Sequence, residues 1–305
     1  MQKAYINSLY SILKDDPRVV SVLSDSGTDY DELLSREFPK QCINMGISEE
    51  TLIGASAGLA SMGMIPFVYT SGAFLAYRAF EFIRDDVCLQ NSNVKIVGMG
   101  SGLSWSTLGP SHHTTEDISV LRVLPNLVLL SPSTPIELRA MVKFAYEYDG
   151  PVYIRMGMSK EQEFFDEDYQ FKLGKCVELT KGDELAFLVT GSILSEVMEA
   201  VKLLQEQDIR VGVINVPTLK PLNKSYMLEL CKKYKKIVTV EEHNIYGGLG
   251  GIVSEMVIDY ELGISVRKIG LNDKFAYGYG THREVLEQNR LTSKYIAEYV
   301  REWMK

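Results

Sequence analysis

The chain has 305 residues, which at roughly 100–200 residues per domain means about two domains and enough material for a real core. Hydrophobic residues make up 46% and charged residues 24%, and 32 Lys plus Arg against 40 Asp plus Glu leave a net charge of −8 with no basic block. That composition excludes a disordered chain and argues against a nucleic-acid groove or an anionic membrane surface as the main partner. The four cysteines, Cys42, Cys88, Cys176 and Cys231, lack CxxC spacing, and the N-terminal MQKAYINSLYSILKDD carries acids too early for a secretion signal, so a reducing cytoplasm is expected.

Along the chain, short β-branched and apolar runs alternate with segments of helical period. Strands are predicted at Val19–Leu23, Ile65–Tyr69, Val94–Gly98, Leu127–Ser131 and Val152–Met156, with helices over Glu50–Ser61, Ala73–Leu89, Glu116–Val123 and Pro135–Tyr146. The uncharged stretch Thr51–Tyr77 is long enough to span a bilayer. Its punctuation by Gly54, Gly58, Gly63, Pro66 and Gly72 instead predicts helix, turn, buried strand and a new helix. After Arg155 the alternation stops, and Ser159–Leu173 is charged and aromatic without a period, as in a linker. It resumes with strands at Leu185–Val189, Val211–Val216, Lys236–Val240 and Ile264–Gly270, separated by helices over Ser195–Gln205, around Ser225–Lys233 and after Gly251. The expected architecture is α/β: two domains, each a mainly parallel sheet with helices on both faces. The expected bounds are residues 1–160, a linker over 161–180, and residues 181–305.

Ligands of open parallel sheets sit at the carboxyl ends of the strands. Three segments there could carry chemistry. Asn44–Glu50 places Glu49 and Glu50 at the start of a helix rich in small residues; from spacing alone these are equally acids that complement the helix dipole. Phe74, Tyr77 and Phe80 recur at i, i+3 and i+6, a stripe that serves either a core or a flat ligand. His112 and His113, two of only four histidines, lie in a Gly-Pro turn before a helix, a polar setting for acid–base work. No third ligand at helpful spacing supports a metal site. Gly98–Gly102 only faintly resembles a dinucleotide loop, with Leu103 where the third glycine belongs, and Gly247–Gly251 reads as a tight strand-to-helix turn.

Taken in order, the segments resemble the C-terminal half of transketolases. NMGISEETLIGASAGLA (residues 44–60) resembles the family's N-x-G-I/V-x-E motif and following helix, TSGAFLAYRAFEFIRDDV (70–87) its aromatic T-S…F-L…I-R region, GPSHHTTED (109–117) its G-P/A-T-H-Q, and DGPVYIRMG (149–157) its G-P-V-Y-I-R-L-G. The likeness continues through VINVPTLKPLN and TVEEHNIYGGLGG and so spans nearly the whole chain. The family's G-D-G…N-N signature for magnesium and diphosphate is absent. The resemblance therefore implies one subunit of a split transketolase, with thiamine diphosphate as cofactor and Mg2+ held mainly by a separate N-terminal subunit carrying the diphosphate-binding domain, in an α2β2 heterotetramer. It also implies roles: Glu49 as the carboxyl that drives the pyrimidine's tautomer change, Phe74 and Tyr77, with Phe80 one turn on, as the aromatic wall of the cofactor site, and His112 as the histidine that reaches the sugar's hydroxyls. His113 stands where the family has glutamine. The departures are at Gln2, Gly100 and Met158, which fall where members acting on sugar phosphates carry arginine, histidine and arginine; Trp105 and Leu108 add apolar surface to the same loop. The implied substrate is a non-standard or unphosphorylated sugar, since bidentate arginine–phosphate pairs are among the stronger hydrogen bonds. Two other readings share this layout: the beta chain of a 2-oxo-acid dehydrogenase, and a non-catalytic assembly module.

Overall fold

The computed structural model describes residues 1–24, 29–158 and 162–305. The first part of the chain runs α1 (Gln2–Asp15), β1 (Val19–Leu23), α2 (Asp29–Glu37), β2 (Cys42–Asn44), α3 (Glu49–Ser61), β3 (Ile65–Ser71), α4 (Gly72–Tyr77), α5 (Phe80–Phe82), a π-helical turn over Ile83–Cys88, β4 (Lys95–Met99), α6 (Asp117–Leu121), β5 (Val128–Leu130), α7 (Pro135–Glu147) and β6 (Val152–Met156). The second runs β7 (Val177–Thr180), β8 (Leu185–Thr190), α8 (Leu194–Gln205), β9 (Val211–Asn215), β10 (Thr218–Lys220), α9 (Lys224–Lys233), β11 (Lys236–Asn244), α10 (Leu249–Asp259), β12 (Ser265–Leu271), α11 (His282–Gln288) and α12 (Ser293–Met304).

Strands β1, β3, β4 and β6 are buried along their whole length. Strands covered on both faces read as continuous apolar runs, which is why they were legible. The uncharged stretch 51–77 is divided among α3, β3 and α4, and no helix of the described residues is long and apolar enough to cross a membrane.

The two sheets are ordered β10-β5-β6-β4-β3-β1-β2 and β12-β11-β8-β9-β7. All pairings are parallel except β10 with β5 and β7 with β9. Two features were not foreseen. The expected linker over 161–180 is shorter than predicted, because Val177–Thr180 pairs with β9 as an antiparallel edge strand of the second sheet; the expected boundary near 160 falls on residues 159–161, outside the described residues. Strand β10 follows β9 of the second sheet in sequence but pairs with β5, so the second domain closes one edge of the first sheet.

The core is continuous across that junction. Val68, Ile96 and Leu129 of the first sheet share a cluster with Ala186, Leu188 and Ile214 of the second. Arg155 completes the seam: Nε donates to both Asp117 carboxylate oxygens (3.0 and 2.9 Å), and Nη2 donates to the carbonyls of Thr114 (2.9 Å) and Glu242 (2.8 Å). Both members of this pair are buried, and the extra hydrogen bonds satisfy them, as a desolvated ion pair requires.

Candidate active site

Glu49 opens α3 and Ser71 ends β3, so a helix start and a strand end meet at one edge of the first sheet. The Glu49 side chain is 1% exposed, and its Oε2 accepts from Arg78 Nη1 at 2.5 Å. Arg78 also lies over the Phe74 ring, 4.9 Å from its centroid. Phe74 meets the His112 ring edge-on at 5.1 Å, and His112 meets Trp105 at 5.8 Å. An unbroken line of contacts thus joins Glu49, Arg78, Phe74, His112 and Trp105, which lie far apart in sequence. Arg78 and Trp105 were not among the expected site residues.

Tyr77 and Phe80 part company. The helix predicted over Ala73–Leu89 breaks at Arg78–Ala79, between α4 and α5, and the expected three-ring stripe breaks with it. Tyr77 stays at the surface, 41% exposed, whereas Phe80 turns in against the core. The Tyr77 hydroxyl donates to Glu116 Oε2 (2.8 Å) and accepts from the Glu116 amide (2.9 Å). Burial, then the charges of Asp117 and Glu116, push its pKa well above the ordinary phenol value, so it remains a hydroxyl.

His112 is half-buried, with Nδ1 3.0 Å from Ser111 Oγ and its backbone amide bonded to the Gly109 carbonyl. His113 points the other way into the domain seam and is 3% exposed; burial pushes its pKa down, which keeps the ring neutral at pH 7. Two second-domain residues reach this seam, Glu242 at the end of β11 and His282 at the start of α11, joined at 2.9 Å. Sequence reading missed both: the only signal was Glu242 within an acidic pair closing a strand.

At the expected departures, Gln2 Nε2 donates to the Tyr69 hydroxyl at 3.2 Å, and Met158 packs against the core under α1 and α7. Gly100 has φ +79°, and a Cβ there would stand 2.9 Å from the Trp105 ring. The indole fills the space that a side chain at position 100 would need. No group of three His, Cys, Asp or Glu arranged for a metal ion occurs among the described residues.

The comparisons agree with this geometry. Family profiles described as "Transketolase, pyrimidine binding domain" and "Transketolase, C-terminal domain" match residues 1–161 and 174–294. The chain is 36% identical over 269 residues to one of the two subunits of the apulose-4-phosphate transketolase of Actinobacillus succinogenes, covering 88% of this chain and 86% of that one. It is 34% identical over 309 residues to "Putative transketolase C-terminal section" of Methanocaldococcus jannaschii, covering 100% and 96%. A 6-deoxy-6-sulfo-D-fructose transketolase subunit of Clostridium sp. is 30% identical over 99% of this chain and 94% of its own. Among solved structures, a "split gene transketolase, inactive beta4 tetramer" superposes with a TM-score of 0.90 at 35% identity, covering 99% of this chain and 97% of that one. The chain belongs to the transketolase family, as the C-terminal subunit of a transketolase divided between two polypeptides.

Proposed function

We propose that this subunit, joined to an N-terminal partner, transfers a two-carbon ketol unit from a non-standard ketose to an aldehyde with thiamine diphosphate as cofactor. The observation that carries the reading is the line from a sealed carboxylate through two aromatic contacts to a histidine, which presents a proton acceptor, a flat wall and a substrate-facing imidazole side by side. The residues fit the pyrimidine half of the cofactor. Glu49 is buried while the Tyr77 ring stays open, and one guanidinium, itself half-exposed and free to withdraw, is the partner the cofactor would displace.

When bound, thiamine diphosphate supplies the electron sink that the carbon–carbon bond cleavage needs. Glu49 holds and returns a proton at a pyrimidine ring nitrogen, and its burial keeps water from competing for that proton. Phe74 and Tyr77 wall the heterocycle; rings bury a flat ligand at small rotamer cost. Phe80 backs that wall from the core. His112 reaches the sugar's hydroxyls and moves their protons. The seam-facing His113 supports it, while Gly100, filled by Trp105, and Met158 shape the far end of the sugar.

Magnesium and the diphosphate belong to the partner in this reading, in an α2β2 assembly. Exposed Ile43, Ile47, Tyr77 and Leu108 form the apolar surface that the partner would cover. Relatives named for apulose 4-phosphate and for a sulfo-sugar support an uncommon ketose as donor. The test is to mix the two purified subunits with thiamine diphosphate and Mg2+ and screen phosphorylated, sulfonated and free ketoses for two-carbon transfer. Glu49→Gln keeps shape and hydrogen bonding but cannot share the proton, so turnover is expected to fall by at least about 100-fold. Wild-type hydrogen–deuterium exchange at the thiazolium carbon in that variant would show that Glu49 is the wrong acid.

A further inference from the structure

The loop that carries His112 is held at both ends by the second domain. At its near end Gly109 has φ +77°, and a Cβ there would stand 2.5 Å from Cε1 of Tyr279; the Tyr279 ring lies flush on this turn. At its far end Thr114 exchanges two backbone hydrogen bonds with Gly102, at 3.0 and 2.9 Å. Gly102 in turn lies against Glu242, where a Cβ would meet Glu242 Cβ at 2.6 Å. Glu242 Oε2 accepts from the Leu103 amide (3.0 Å) and is bonded to His282 Nε2 (2.9 Å). Arg155 Nη2 ties the Thr114 carbonyl to the Glu242 carbonyl.

Between these two holds, the loop's buried side chain is left open. Neither ring nitrogen of His113 has a hydrogen-bond partner among the described residues, and neither does Glu242 Oε1. A neutral imidazole offers an N–H donor, and a carboxylate oxygen is its natural acceptor. The two groups face the same seam, where leaving either unsatisfied is costly; the charges facing His113 are those of Glu116, Glu242, His112 and His282. Glu242 is fully buried, yet the neighbouring His282 and the Leu103 amide hold its carboxyl below its ordinary range, so it is ionised and ready to accept.

We propose that Tyr279, Glu242 and His282 are positioning residues of the second domain that fix the placement of His112 over Phe74, Tyr279 at the loop's near end and the Glu242–His282 pair at its far end through His113. The contact between Glu242 and His113 is direct or through one water. The proposal rests on His112 being the substrate-facing residue and adds what holds it there: residues far along the chain, on a domain that otherwise contributes nothing to the reacting atoms.

The test has two arms. The chain has only four histidines, so nitrogen-15 ring correlations resolve each one in the isolated chain. His282→Phe and Tyr279→Ala are expected to shift the His112 and His113 ring signals, and His282→Gln, which keeps an N–H donor for Glu242, is expected to restore them. In the assembled complex, His282→Phe and Tyr279→Ala should raise KM for the ketose by about tenfold or more, the scale of a small misplacement, with kcat and thiamine diphosphate affinity little changed. Folded variants whose His112 signals stay in place overturn the proposal, as does a loss that falls on cofactor affinity instead of KM. A wild-type complex that transfers no two-carbon unit would overturn the functional reading alone, and the nuclear-resonance arm would still decide this one.

Discussion

At the scale of single residues, a buried acid away from the site shows what burial does to charge. Glu137 is fully buried and accepts from the Ser133 amide (2.8 Å), Asn215 Nδ2 (2.8 Å) and the Tyr169 hydroxyl (3.2 Å). Burial outweighs these bonds and pushes its pKa up to about 7. Between the ordinary carboxyl value of 4.5 and about 7 the folded chain therefore binds the extra proton. Its contribution to stability is complete below the lower of these values and is lost as pH rises through the upper one. Glu137→Gln removes that titration, so the variant's stability relative to wild type should climb by about 3 kcal/mol over this window. Urea unfolding at several pH values checks it, and parallel stability curves would contradict it. Glu137 also marks the limit of legibility at this scale. Glu49 and His112 stood out by residue type and by their place after strands, but Arg78, Glu242 and His282 did not, because their meaning lies in contacts 29 and 40 residues away in sequence.

Among the elements, the long buried strands and the amphipathic helices were legible because their periodicity survives in the fold. Strands β2 and β10 were not, since each is three residues long and too short to show a period. The predicted helix over 73–89 failed for a different reason. Residues 72–77 are buried or ring-bearing on every side, so nothing in the pattern announces the break at Ala79, where φ −92° and ψ 15° leave the helical basin. That break frees the Tyr77 hydroxyl to tie α4 to the turn before α6 through Glu116. Tyr77→Phe keeps the ring and deletes only the tie. The expected cost is about 0.5–1.5 kcal/mol of stability, with the ketose KM raised and thiamine diphosphate affinity unchanged in the assembled complex. Loss of cofactor binding in Tyr77→Phe would assign the hydroxyl, not the ring, to the cofactor.

For the whole molecule, two sheets were foreseen, but not that they are fastened together. Sequence marks where strands lie and not which sheet a strand joins, so the crossing of β10 to β5 and the Arg155 bonds to both domains were invisible until folded. These ties predict that the chain unfolds as one unit. Leu219, 3% exposed in β10 within the shared cluster, is the place to test this, since a buried leucine cut to alanine costs about 2–5 kcal/mol. Leu219→Ala should lower a single calorimetric transition while leaving it single; two resolved peaks would mean that the domains are independent after all.

The same seam bears on assembly. A rigid two-domain body presents the carboxyl ends of its strands and the Ile43, Ile47, Tyr77 and Leu108 face in one fixed arrangement, ready for a partner that brings the diphosphate half of the site. The isolated chain should therefore bind thiamine diphosphate weakly and show no turnover, because half the cofactor's contacts are missing from it, and co-expression with the partner should yield a 1:1 complex of two copies each, with closed two-fold symmetry. Calorimetry on the lone chain and light scattering on the pair decide this. Tight cofactor binding by the lone chain, or a mass that fits no 1:1 assembly, would place the diphosphate site or the oligomer somewhere other than where Glu49 and its neighbours point.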